Sequence, residues 1–399
     1  MANPVYLVEL SWLGALLLIG LICSIISYKI KISNILLLII VGIGLGNFIS
    51  FPISFLTNLG VFALIMIIFD SSSRFKIKEV AELYPYALKL VIVFTLMNLI
   101  FFSFFTHVLF DGSFTIKGLI LSLLFSALMS GTSPDVVLSV LKEKKRKLAE
   151  LLEFESIINS PITILLPLVI FNLYQGIFEA EIIFRSFLQS IMTGIGTGLF
   201  LGLVIFRLMK KKYIENLSPL VIIALVLISY SLAEVLGGSG ILSVTTLGIV
   251  FGRSILKEKE EIQKFSGIFT NFLKIIMFIL LGLVIQIPFK YDFLIKATIL
   301  FFIYLVVRYV AVSISFKKLN LNKKEKIFMT FNISKGLGVA VVVFMLIASG
   351  VKGLEIVVSL SFFFILYSIV LSSVMNRFID YFLKYDEVKK KIEKIEKKK

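Results

Sequence analysis

Apolar residues run through this chain in long blocks, and polar ones gather in short strips between them. A helix needs about 20 apolar residues to cross the hydrocarbon core of a bilayer. About 13 blocks approach that length, at 5–27, 34–50, 57–72, 84–110, 114–141, 152–173, 182–208, 218–236, 239–254, 267–288, 291–315, 326–349 and 353–376. The pattern predicts an all-α polytopic membrane protein. At roughly 21 residues each, the spans take up about 270 positions, and the remainder is too short for a folded soluble domain. The first block carries no basic leader or small-residue cleavage site, so it reads as a retained span.

The polar strips alternate in charge. After the odd spans come Lys29 and Lys31, Arg74 to Lys78, Lys142 to Lys147, Lys210 to Lys212, Arg253 to Lys259 and Lys317 to Lys326. After the even spans come Phe-Pro-Ile-Ser, Asp-Gly-Ser-Phe, Asn-Leu-Tyr-Gln-Gly and Gly-Gly-Ser-Gly, with few cations. Of the 41 Lys and Arg residues, Lys117, Arg185, Lys290, Lys296 and Lys352 fall on the outer side and Arg308 and Lys335 within spans, which leaves 34 on the other side. The positive-inside rule then places the N-terminus outside and the C-terminus in the cytoplasm of a multi-pass cell-membrane protein. The basic tail, 377–399, continues the inner charge and has the composition to attract anionic membrane lipid.

Composition narrows the function further. The chain is 58% hydrophobic and 17% charged, with a mean hydropathy of +1.02, against about 25% charged in ordinary soluble domains. That argues against a soluble enzyme, and the net charge of +16 is explained by inner loops without nucleic acid. A single Cys and a single His exclude a disulfide framework and a multi-histidine metal centre. Nothing calls for a cofactor.

Two pairs of segments echo one another. Span 3 contains Phe-Ala-Leu-Ile-Met-Ile-Ile-Phe and span 10 contains Ile-Ile-Met-Phe-Ile-Leu-Leu-Gly-Leu. Spans 5 and 12 are each interrupted in mid-membrane, by Ser130-Gly131-Thr132-Ser133-Pro134-Asp135 and by Ser334-Lys335-Gly336-Leu337-Gly338. Both pairs are seven spans apart, and an odd offset inverts the second copy. The reading is a transmembrane domain over 1–376, with inverted repeats at about 5–173 and 218–376 linked by helix 182–208. Matching broken helices in inverted repeats point to a secondary transporter with its site at the midplane. The chain lacks a phosphate-binding glycine loop, which argues against an ATP-driven pump.

Ionisable residues inside a membrane are costly and usually functional. Asp70 ends span 3, either as a cap at the cytoplasmic end or as part of an ion path. Asp135 follows Pro134, whose ring removes a backbone donor and frees carbonyls. A cation could find carbonyl oxygens and a carboxylate together there, or Asp135 caps the second half-helix. Glu155 with Asn159, and Ser156 with Ser160, stand four apart on neighbouring lines of one helix face. Arg308, in Tyr-Leu-Val-Val-Arg-Tyr-Val, needs a partner, and Glu155 would match its guanidinium bidentately as a structural pair. Lys335 is placed to balance the negative end of a half-helix. Glu234 lies near an outer end, and His107, Cys23 and Trp12 have no polar company along the chain.

Over nearly its whole length the chain resembles the monovalent cation:proton antiporters of the sodium/proton exchanger branch. The resemblance is carried by Leu-Ala-Glu-Val-Leu-Gly-Gly-Ser-Gly-Ile-Leu-Ser-Val with Leu-Gly-Ile-Val-Phe-Gly, by Gly-Thr-Ser-Pro with Val-Leu-Ser-Val, by Glu-Phe-Glu-Ser-Ile-Ile-Asn, and by Arg308. It implies 13 helices, a homodimer, crossing broken helices, and elevator-like exchange of Na⁺ or another small cation for H⁺. Asp70 falls where the family often has a Glu in the cytoplasmic funnel. Thr132 matches the Thr of a Thr-Asp-Pro motif, and Glu155, Ser156 and Asn159 match a motif that ends in an Asn-Asp pair. Lys335 stands where an Arg precedes Gly.

Two positions depart from the pattern. Ser160 replaces the Asp that binds the ion in the family, and Ser133 replaces the Asp after Thr132, with Asp135 two places on. Antiport needs a buried carboxylate that holds either a proton or a cation. That task passes to Asp135 or Asp70, and the leading reading gives it to Asp135, with Thr132, Ser156, Asn159 and Ser160 as neutral oxygen ligands for Na⁺ or K⁺. The alternatives are a non-exchanging channel or ion sensor of the same fold, and an anion carrier built on Lys335.

Overall fold

The computed structural model describes residues 5–30, 33–49, 51–74, 84–112, 115–133, 147–176, 180–211, 218–254, 259–285, 290–319 and 321–382. Among these there is no strand. The helices are α1 (Val5–Ile30), α2 (Asn34–Leu45), α3 (Ile53–Ser73), α4 (Tyr84–Met97), α5 (Ser103–Phe110), α6 (Ile116–Leu128), α7 (Lys147–Tyr174) and α8 (Ala180–Lys211). They continue as α9 (Ser218–Val235), α10 (Gly240–Arg253), α11 (Lys259–Val284), α12 (Tyr291–Ser315), α13 (Lys323–Phe331), α14 (Leu337–Ala348), α15 (Glu355–Arg377) and α16 (Ile379–Phe382). Eight stretches among the described residues are long and apolar enough to cross a bilayer, and five shorter apolar helices accompany them.

The departures from the hydropathy pattern have local causes. The fourth span is one helix with a π-helical turn, Asn98–Phe102, between α4 and α5. The fifth ends as a helix at Leu128, and the twelfth divides into α13 and α14 around a non-helical 332–336. Gly131 and Pro134 disfavour helix at the first break, the one by entropy and the other by its missing N–H. α11 starts at Lys259, earlier than apolarity alone indicates, because Glu260 and Glu261 in its first turn suit the positive end of a helix.

The chain divides into two compact units. The first comprises Met1–Leu56, Val80–Tyr174 and Phe278–Lys399, and the second Thr57–Glu79 and Gln175–Met277. In the first, α7 packs on α4, α6 and α14, while α12 packs on α4 and α15. In the second, α8, α9 and α10 pack on one another.

Each unit contains a close helix crossing made by a Gly-Ile-x-x-Gly segment, and the second unit has another at Gly194 and Gly198, where a Cβ would lie 2.6 Å from Ser239 O and 2.1 Å from Ser243 O. In the first unit, a Cβ on Gly42 would lie 2.3 Å from Ile279 O and 2.8 Å from Gly282 Cα, and one on Gly46 would lie 2.9 Å from Leu283 O. In the second, a Cβ on Gly248 would lie 3.0 Å from Phe69 O and 2.4 Å from Ser72 Oγ, and one on Gly252 would lie 2.6 Å from Ser73 O. The two Gly-Ile-x-x-Gly crossings correspond position for position: Gly42 with Gly248, Gly46 with Gly252, Ile279 with Phe69, Gly282 with Ser72 and Leu283 with Ser73. Only the absence of a Cβ lets the backbones approach so closely, as is common between membrane helices.

Candidate ion site

The two breaks of the first unit meet as extended backbone. Ser133 N donates to Ser334 O at 2.8 Å, and Ser334 Oγ donates to Ser133 O at 2.8 Å. Gly131 is required for close approach: a Cβ there would lie 2.0 Å from Thr163 Oγ1 on α7. The first break thus lies directly against the helix that carries Glu155, Ser156, Asn159 and Ser160.

Interrupting a helix in an apolar interior leaves carbonyls without partners, and here each is taken by a donor from elsewhere in the fold. Met129 O accepts from Asn98 Nδ2 at 3.0 Å, Tyr304 Oη at 3.0 Å and Lys335 Nζ at 2.7 Å. Ser130 O accepts from Asn159 Nδ2 at 2.8 Å, Gly131 O from Lys335 Nζ, and Thr132 O from Ser156 Oγ at 2.9 Å. Ser133 O accepts from Ser334 Oγ. Each carbonyl of 129–133 thus accepts a hydrogen bond from another element, and Ser130 O, Gly131 O and Thr132 O, with one such donor each, keep a second lone pair.

Lys335 is wholly buried. Its ammonium donates to Met129 O, Gly131 O and the Tyr304 hydroxyl, which uses its three N–H bonds. It therefore sits at the C-terminal end of α6, where the helix dipole is negative. Its backbone N–H donates to Ser368 Oγ at 2.9 Å. Tyr304 is held by the rings of Phe94, Phe102 and Phe364, with centroids 5.7, 5.2 and 5.7 Å away.

Arg308 donates from Nη1 and Nη2 to the two oxygens of Glu155, each at 2.7 Å, and both side chains have no exposed surface. The guanidinium carbon lies 4.6 Å from the centroid of Phe94. This fork occupies both carboxylate oxygens. Among the described residues the ionisable side chains of the site are thus Glu155, Arg308, Lys335 and Tyr304.

What the site leaves open are side-chain oxygens. Thr132 Oγ1, Asn159 Oδ1 and Asn98 Oδ1 are buried and have no hydrogen-bond partner. Ser156 Oγ and Ser160 Oγ spend their protons on Thr132 O and, at 2.7 Å, on Ser156 O, so their lone pairs remain free to accept. The fold thus gathers Thr132, Ser156 and Asn159 about one segment, with Ser160 one turn on from Ser156 along α7. Neutral oxygens of this kind suit a hard cation.

The other residues singled out in the sequence lie as follows. Asp135 is outside the described residues. Asp70 belongs to the second unit, where its Oδ1 accepts from Arg74 Nε at 3.0 Å and Nη2 at 2.9 Å, and Arg74 also donates to Gln263 O. Glu234, in the same unit, accepts from Gly240 N at 2.8 Å and so caps α10. His107 is not without polar company: it is fully buried, with Nδ1 3.5 Å from Asp111 Oδ2. Cys23 is buried and Trp12 is 38% exposed. Sequence reasoning missed Asn98 and Tyr304. The available signals were an amide in the middle of an apolar span, and a tyrosine one turn before Arg308 on the same helix face.

Comparison with known proteins supplies relatives. The sequence profile of the family described as sodium/hydrogen exchanger, transmembrane, matches residues 14–379. The chain is 26% identical over 302 residues to the probable Na(+)/H(+) antiporter 2 of Methanocaldococcus jannaschii, covering 70% of each chain. It is 27% identical over 257 residues to the K(+)/H(+) antiporter NhaP2 of Shewanella baltica, covering 62% of this chain and 44% of that one, so the match spans less than half of that relative. The solved structure of the sodium proton antiporter MjNhaP1 from Methanocaldococcus jannaschii at pH 8 superposes with a TM-score of 0.80 over 93% of this chain and 100% of that one, at 20% identity.

Proposed function

The chain belongs to the sodium/hydrogen exchanger family, and we propose from that membership that it is a secondary transporter exchanging a monovalent cation for H⁺, with Na⁺ the first choice and K⁺ the second. Its relatives carry both names, one Na(+)/H(+) and the other K(+)/H(+). The observation that carries the reading is the set of unpartnered buried oxygens, Thr132 Oγ1 and Asn159 Oδ1, beside two crossing broken segments. An apolar interior does not leave such atoms unmatched without cause; a bound cation would match them.

Exchange needs a carboxylate for which cation and proton compete. Glu155 is committed to Arg308, and Ser160 stands in the place of the family's acid. Asp135 therefore takes the exchanging role, with Thr132, Ser156, Asn159 and Ser160 completing the oxygen shell, and Asp70 serves the cytoplasmic approach. Glu155 and Arg308 are structural, and Lys335 holds the end of a broken helix. The chain works as a homodimer, with its N-terminus outside, and its movement is elevator-like alternation. The matched glycine crossings support the inverted repeats of 5–173 and 218–376 on which such alternation rests.

Reconstitution into vesicles with a pH-sensitive dye inside tests the assignment. Na⁺ or K⁺ gradients drive proton movement in the wild-type protein and not in Asp135→Asn; full activity in D135N refutes the role of Asp135. A second reading, a channel or ion sensor of antiporter fold, is favoured by the neutral character of the described oxygen set. Cation current without proton movement would establish it.

A further inference from the structure

Two asparagines grip the first break in the same way. Asn98, in the π-helical turn after α4, donates through Nδ2 to Met129 O at 3.0 Å, and Asn159, on α7, donates through Nδ2 to Ser130 O at 2.8 Å. Both side chains are wholly buried, and in both the amide oxygen has no partner. An unmatched buried acceptor costs about 1–3 kcal/mol, and here the cost is incurred twice at adjacent carbonyls of one segment.

Holding Met129 is an insufficient reason for Asn98. Met129 O already accepts from Tyr304 and Lys335, and a carbonyl has two lone pairs, so the asparagine's donor is the third on that atom. Its amide oxygen duplicates nothing. The π-helical turn adds a residue to the helix where Asn98 begins it, a distortion that recurs at functional sites.

We infer that Asn98 Oδ1 is a further ligand of the transported cation, joining Thr132 Oγ1 and Asn159 Oδ1 in a shell of neutral side-chain oxygens. The inference rests on the exchange reading above and enlarges its site by a residue from another helix. Amide oxygens suit a hard monovalent cation, and they do not themselves take up the proton being exchanged. Met129 O, with three donors, is closed to the ion, so what Asn98 can offer it there is its own amide oxygen.

The test compares wild type, N98L and N98D as full chains, read by the cation KM for exchange in vesicles and by cation-induced thermal stabilisation in detergent. N98L raises the KM for the cation about tenfold or more, the loss of one charge-assisted contact, and weakens the cation-induced stabilisation in proportion. N98D keeps an oxygen at the same place, gives up the redundant donor and adds a carboxylate that attracts the cation, so its KM stays at or below the wild-type value. Equal damage in both variants would mean that the amide only holds Met129, and a wild-type KM in N98L would mean no contact with the ion; either overturns the inference. If wild type moves no protons, the exchange reading fails by itself, and the thermal measurement then decides. In that case N98L with wild-type cation stabilisation, or a wild type that no cation stabilises, overturns the place given to Asn98.

Discussion

Removing either partner of the Glu155–Arg308 pair strands a charge where water does not reach. Both side chains have no exposed surface, and the two bonds of 2.7 Å satisfy both carboxylate oxygens. Breaking a buried pair from one side costs about 3–5 kcal/mol, whereas replacing both partners by apolar or neutral groups of similar size is nearly neutral. R308M and E155Q should therefore each destabilise the protein by that amount, and R308M/E155Q by about 0–2 kcal/mol. At about 2 °C per kcal/mol for a chain of this size, each single variant loses on the order of 6–10 °C of apparent Tm and the double variant at most a few degrees. The assay is thermal unfolding of the detergent-solubilised protein followed by monodisperse fraction, with all four proteins scanned at one rate because such unfolding is commonly irreversible. The double-variant cycle isolates the pair from the general cost of altering the core. Additive losses, or single variants within about 1 °C of wild type, would refute the reasoning. A structural role also requires that R308M/E155Q retain the wild-type cation KM; a large rise would move the pair into the ion path.

Two further outcomes follow from the packing. K335M leaves Gly131 O without its donor, while Met129 O keeps Asn98 and Tyr304, and should cost about 1–3 kcal/mol and lower exchange, whereas K335R keeps the charge and retains activity in the same vesicle assay. G42A forces apart the crossing with Ile279 and Gly282 and should lower stability by about 1–3 kcal/mol, whereas G44A, which meets nothing within 4 Å, should be neutral or stabilising by about 0.5–1 kcal/mol in a thermal shift comparison.

Much of the architecture was legible because a membrane acts on sequence in one dimension. Each span must be apolar along its own length, so blocks such as 57–72 and 291–315 reveal themselves without knowledge of any neighbour, and they correspond to α3 and α12. The breaks read at 130–135 and 334–338 were legible for a similar reason, since Gly, Ser and Pro act on the backbone locally, although the second lies at 332–336 and helix resumes at Leu337. The need of Arg308 for a carboxylate was legible from the cost of an unpaired guanidinium in hydrocarbon. The company of His107 was not, although Asp111 stands only one turn away, because distance along the chain does not say whether a helix end is buried.

The remaining part of the site was decided by contacts distant in sequence. Arg308 and Glu155 are 153 residues apart, and Lys335 is 206 residues from Met129 and 204 from Gly131. By itself the sequence determined an all-helical membrane chain of the exchanger family, and which few charged residues lie outside its loops. Only the tertiary structure decided which atoms of the broken segment are engaged and which remain open. Hydropathy measures the transfer of each residue from water to lipid, a property of that residue and its immediate neighbours. Hydrogen-bond satisfaction is a property of pairs. Five consecutive carbonyls find donors, and the oxygens of Thr132, Asn159 and Asn98 stay open, only once helices remote in sequence have packed together.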